Sequence, residues 1–126
     1  MAHAFIVGIG GFTGSILRYW LSGLVQRWMQ DSFPAGTLLV NVLGCFAIGA
    51  FWSFVENGGW FRPETRLLIS VGILGGFTTF SAFGLETFAL LHDRQYLAAF
   101  GNVSANVVLG IFAVMLGWMA GKALAV

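Results

Sequence analysis

Residues 75–88 read Gly-Gly-Phe-Thr-Thr-Phe-Ser-Ala-Phe-Gly-Leu-Glu-Thr-Phe, and several kinds of chemistry are available in them. Gly75-Gly76 lowers helix propensity. Backbone carbonyls unwound there are hard oxygen ligands that suit a cation such as Na⁺. Thr78, Thr79 and Ser81 carry hydroxyls that can bond such carbonyls and satisfy groups freed by a break. With no ion, the same pattern is a glycine-softened kink. Phe80 and Phe83 follow at i, i+3, on one face of the segment after the break. An aromatic ring has a positive edge and a negative face. An edge can therefore favour an anion where a charged side chain would hold it too tightly. In a chain with 13 phenylalanines, frequency alone reads the pair as packing.

Other polar residues recur at helical spacing in apolar surroundings. Thr37 and Asn41 are four apart in PAGTLLVNVLG and project from one face. The Asn41 amide offers two donors and an acceptor. Asn102 and Asn106 repeat the spacing in GNVSANVVLG, with Ser104 on another face. A polar stripe on such a helix marks either helix contacts or a solvated path. Arg18 either snorkels to an interface or attracts anions to a pore mouth. Glu86 pairs with Arg18, faces a watery vestibule or carries a proton. Cys45 is a lone cysteine and reads as a small apolar residue. His3 and His92 fall at segment ends, where water reaches them.

These residues are positioned by four apolar segments. Of the 126 residues, 58% are hydrophobic and 9% charged, with a mean hydropathy of +0.86; soluble domains carry about 25% charged residues. A bilayer core is crossed by roughly 20 helical residues, and spans are expected over 4–25, 35–55, 67–91 and 96–124, in one transmembrane domain covering 1–126. The breaks QRWMQDSFP, ENGGWFRPETR and HDRQ hold both prolines and most of the charges. Helices are required because backbone groups in lipid must be satisfied within the segment; the alternation of a membrane β-barrel is absent. The N-terminus lacks the basic region of a cleaved signal peptide. A net charge of +1 with no basic run excludes nucleic acid as a partner. No nucleophile–base pair, phosphate loop or metal-ligand cluster points to an enzyme.

Orientation follows Lys and Arg in the loops. Arg62, Arg66 and Lys122 lie on one side, Arg27 and Arg94 on the other. The near-tie is either counting noise or dual topology, with two copies pairing antiparallel. Small residues at fourfold spacing favour close helix packing, and they occur at Gly10–Gly14, Gly72–Gly76 and Gly117–Gly121. Four helices make a thin wall around a polar path, so self-association is expected.

The stretches GGFTGSILRYWLS, PAGTLLVNVLGCFAIG and GILGGFTTFSAFGLETFALL resemble the CrcB/Fluc family of fluoride channels, and the resemblance covers essentially the whole chain. It implies an all-α membrane protein with a broken third helix, assembled as an antiparallel dual-topology homodimer in the bacterial inner membrane. Two fluoride pores would run along the subunit boundaries and export cytoplasmic fluoride passively. Phe80 and Phe83 match the family's pore phenylalanines, Asn41 its pore asparagine, and Ser81 the hydroxyl after the first phenylalanine. The family's central structural Na⁺ maps to the Gly75 and Thr78 carbonyls. Arg18 and Glu86 match a span-one arginine and a span-three carboxylate. Ala82 stands where some relatives carry a hydroxyl, and Asn102 and Asn106 where Tyr and Ser are common.

The expected mechanism is a relay. Asn41, Ser81, Thr37, Asn102 and Asn106 donate N–H or O–H groups, and the two ring edges bridge the gaps. A proton-coupled exporter of the small multidrug type is the alternative, but it needs a carboxylate in span one, where only Arg18 is ionisable. A non-transporting assembly subunit is the third reading.

Overall fold

The computed structural model describes residues 1–58 and 61–124. Gly59 and Trp60, within the expected turn ENGGWFRPETR, lie outside the described residues. Helix α1 is Ala2–Met29 and α2 is Ala35–Gly58. The third span is two helices, α3 (residues 63–77) and α4 (Phe80–His92), and α5 is Tyr96–Leu124. The four spans run for 28, 23, 30 and 29 residues, each long enough for a hydrocarbon core of about 30 Å at 1.5 Å per residue. The chain is a multi-pass, all-helical membrane protein.

The turns are short and tied by their own side chains. Gln30 ends α1 in the left-handed region (φ 46°). Gln26 Nε2 donates to the carbonyls of Asp31 (2.9 Å) and Phe33 (3.0 Å), and its Oε1 accepts from Gly36 N–H (3.3 Å). Across the membrane-end surface, Ser32 Oγ donates to Gln95 Oε1 (2.9 Å). This bond joins the α1–α2 turn to the α4–α5 turn, so both lie on one side.

The interior is inverted relative to a soluble core. The fully buried side chains are Val40, Ser53 and Asn102, while Phe5, Phe12, Trp20, Leu97 and Phe100 are exposed. Lipid tails are as apolar as these rings, so nothing drives the large side chains inward; small and polar residues gather at helix contacts instead. The four-spaced glycines do this within one chain. A Cβ on Gly14 would collide with the Ile73 carbonyl, and one on Gly76 would lie 2.6 Å from the Gly11 carbonyl, so α1 and α3 touch backbone to backbone. Gly117 and Gly121 meet the carbonyls of Phe46 and Ala50 in the same way, seating α5 on α2, the most extensive helix contact in the molecule.

The third span is irregular. After the turn Pro63–Arg66, residues Leu67–Leu74 wind as a π-helix, and Gly75–Phe77 return to α geometry. The break comes at Thr78 (φ −90°, ψ 159°) and Thr79 (φ −151°, ψ 119°). It is therefore near the centre of the span, as expected, but not at the glycines. Gly75 is helical (φ −63°, ψ −39°), and Gly76 is needed for its closeness to α1. Two β-branched threonines, at home in extended backbone, occupy the break itself.

Candidate functional site

A break in mid-bilayer frees backbone groups that must find partners, because an unpaired polar group there costs several kcal/mol. Thr78 bonds back to the first half-helix, with both its N–H and its Oγ1 reaching the Leu74 carbonyl at 3.0 Å. Arg18 Nε donates to the Gly76 carbonyl at 3.0 Å. A cation there complements the negative C-terminal end of α3. Thr79 caps α4, its Oγ1 accepting from Ala82 N–H at 3.2 Å. Among the described residues, nothing donates to the carbonyls of Gly75 or Thr78.

The remaining gap is filled by Asn41 from α2. Its Oδ1 accepts from Thr79 N–H (2.9 Å) and its Nδ2 donates to the Thr79 carbonyl (3.2 Å). The side-chain amide thus pairs with Thr79 as a neighbouring strand would. The same Nδ2 donates to Asn106 Oδ1 at 3.0 Å. Asn106 Nδ2 reaches the carbonyl and the Oδ1 of Asn102, each at 3.0 Å. Asn102, fully buried, donates to Thr87 Oγ1 at 2.9 Å, and Thr87 donates to the Phe83 carbonyl at 2.7 Å.

Beside this network lies a groove of about 380 Å³, open to the outside of the chain. Asn41, Asn106, Gly75, Thr78, Thr79, Phe80 and Phe83 are among the residues that line it. The rings of Phe80 and Phe83 have centroids 5.5 Å apart with planes at 50°. Phe80 is 83% exposed at the start of α4. Ser81 is also exposed, 3.4 Å from Thr79 Oγ1.

The other expected site residues separate. Thr37 is buried, and its hydroxyl donates to Glu86 Oε1 at 2.6 Å; the other carboxylate oxygen, Oε2, is buried without a partner. Among the described residues no salt bridge joins Arg18 to Glu86. The two charges serve different elements: Arg18 closes the end of α3, and Glu86 sits against α2. Asn102 lies behind Asn106 and does not line the groove. Thr87 was missed by sequence reasoning. Its signal is its place four residues after Phe83, where a threonine hydroxyl reaches the i−4 carbonyl.

Fold and site together define a class: a short multi-pass membrane protein whose interrupted span presents neutral dipoles and free carbonyls to a groove. A family profile described as CrcB-like protein, Camphor Resistance (CrcB), matches residues 5–118. The chain is 45% identical over 123 residues to "Fluoride-specific ion channel FluC 1" of Methanosarcina acetivorans, covering 95% of this chain and 91% of the relative. It is 46% identical over 122 residues to "Fluoride-specific ion channel FluC" of Parabacteroides distasonis, covering 97% and 94%. The protein of that name from Aquifex aeolicus is 41% identical over 124 residues, covering 98% of this chain and all of the relative (100%). The chain belongs to the CrcB family.

Proposed function

We propose that the protein is a fluoride-selective channel of the bacterial inner membrane, exporting cytoplasmic fluoride passively through two pores of an antiparallel homodimer. It is not an enzyme; the relatives it matches are named as ion channels. The observation that carries the reading is the Phe80–Phe83 pair, lining an open groove together with the amides of Asn41 and Asn106. A single chain walls only part of this groove. A second copy would close it, and two-fold symmetry would then give two pores. The near-tie of loop charges supports insertion in both orientations.

Fluoride is small and strongly hydrated, so a pore must replace its water with donors and still release it. Ser81 offers an O–H, the two phenylalanines offer ring edges, and Asn41 and Asn106 offer amide N–H groups that the ion would share with their present protein acceptors. None carries a full positive charge, so the ion is passed on and not trapped. Thr37 and Glu86 sit farther along α2 and α4, where they would serve an entry vestibule. The driving force is the gradient and the membrane potential, about 2.3 kcal/mol per charge per 100 mV.

The carbonyls of Gly75 and Thr78 fit a structural Na⁺ at the dimer centre: they are hard oxygens with no donor of their own. Carboxylate and thiolate clusters are absent among the described residues, as suits a singly charged ion. When bound, Na⁺ would supply positive charge at the C-terminal end of α3 and hold the break open.

The test is efflux from liposomes containing only this protein. Fluoride should leave and chloride should not, with no dependence on a proton gradient. Equal fluoride and chloride flux would overturn the reading. Strict coupling to protons would favour the small multidrug alternative, for which α1 supplies no carboxylate.

A further inference from the structure

The amides at the break do not donate freely. Each bond in the network has a direction, and backbone groups of Thr79, Asn102 and Phe83 set them. Thr79 N–H requires an acceptor, so Asn41 must turn its Oδ1 towards it. Both Asn41 N–H bonds then point away, one to the Thr79 carbonyl and one to Asn106. Asn106 must therefore present its Oδ1 to Asn41 and its Nδ2 to Asn102. Asn102 accepts from Asn106 through its Oδ1 and turns its own Nδ2 to Thr87. Thr87 accepts that bond and donates its own O–H to the Phe83 carbonyl. The circuit begins on the backbone of Thr79 and ends on the backbone of Phe83, having crossed α2, α5 and α4. Turning any one amide over would set two donors or two acceptors face to face.

We infer that Thr87 and Asn102 are positioning residues. They terminate and support a one-way hydrogen-bond relay that fixes the Asn41 amide, through Asn106, against the helix break. Neither residue lines the groove. Asn102 is fully buried, so its Nδ2 depends on a protein acceptor; without Thr87 Oγ1 that donor is stranded, and the cheapest escape is a turn of the amide. The turn removes one of the two acceptors of Asn106 Nδ2, leaving the Asn102 carbonyl, and sets an Asn102 N–H against it, so Asn106 loosens its hold on Asn41. Asn41 as an ion contact rests on the fluoride-channel reading. The relay itself rests only on the hydrogen bonds.

Thr87→Val keeps the side-chain shape and removes both halves of the hydroxyl. The expected result is fluoride efflux slowed about tenfold, the effect of one buried hydrogen bond, with Thr87→Ser restoring it. Amide exchange at Thr79 should quicken in the valine variant, a change that loose packing at Thr87, about two turns away, would not produce alone. In an Asn106→Leu background, where the relay is already cut, Thr87→Val should add no further loss. Thr87→Ala serves the same purpose should the valine variant fail to fold. Unchanged Thr79 exchange in the Thr87 variant would overturn the relay, as would losses that multiply in the double variant. Wild-type protein that passes no fluoride would sink the channel reading by itself, while Thr79 exchange would still judge the relay.

Discussion

The α1–α3 contact and the α2–α4–α5 contact are built from opposite materials. The first is glycine against backbone: Gly10, Gly14, Gly72 and Gly76 bring the two helices together with no side chain between them. Its one long polar contact, Arg18 to the Gly76 carbonyl, falls at the end of α3. The second is a ladder of amides and hydroxyls through Asn41, Asn106, Asn102 and Thr87. Without a hydrophobic driving force between helices, association in lipid relies on close packing and on interhelical hydrogen bonds. This molecule assigns the two to different faces. The glycine face is backbone against backbone and presents no side-chain donor to an ion. The amide face carries oriented dipoles, and it borders the groove.

The largest effect should come from filling the glycine face. Gly14→Val puts branched carbon into the Ile73 carbonyl and the Phe77 amide, and backbone has nowhere to yield. Loss of monodisperse protein on size exclusion is the expected outcome; a well-folded variant would show that α1 and α3 are not locked together. Next comes Asn41→Leu, which strands the N–H and the carbonyl of Thr79 at about 1–3 kcal/mol each. Fluoride efflux should disappear while some folded protein remains, a split that separates the amide face from the glycine face. Phe80→Ile and Phe83→Ile remove ring edges without touching either contact. Each should cut fluoride efflux by about a hundredfold or more, as loss of about 3 kcal/mol of stabilisation would, with thermal stability nearly unchanged. Unaltered flux in both would remove the rings from the pathway. Dialysis against Na⁺-free buffer should then lower activity, recoverable on adding Na⁺; full activity without it would exclude the carbonyls of Gly75 and Thr78 as its ligands. The smallest effect is expected at Gly23, where an added Cβ meets nothing within 4 Å. Gly23→Ala should raise stability by about 0.5–1 kcal/mol, measured as a small rise in Tm.

Particular residues show how far the sequence could be read. Span number, approximate limits and the central interruption were legible, because lipid tolerates only long apolar helices and penalises unsatisfied backbone. The residue at fault was not. Gly75-Gly76 looked like the breaker, yet the glycines stay helical and the threonines after them are extended. A glycine serving close approach and a glycine serving a bend are identical in sequence. Asn41 was legible as a polar residue needing a partner. That the partner is the Thr79 backbone was not, since 38 positions separate them. Pairing of Arg18 with Glu86 was one of several readings open in the sequence, but each has another partner: a freed carbonyl and a threonine hydroxyl.

Composition and spacing alone established a four-span helical membrane protein. They also supplied polar stripes on spans two and four and an interrupted third span, because these depend on local rules of length, periodicity and backbone satisfaction. Only the tertiary structure decided what the polar residues do to one another. Hydrogen bonds between helices depend on which faces the glycines allow to meet. Their direction is set by backbone groups, among them the N–H of Thr79, which belongs to no helix.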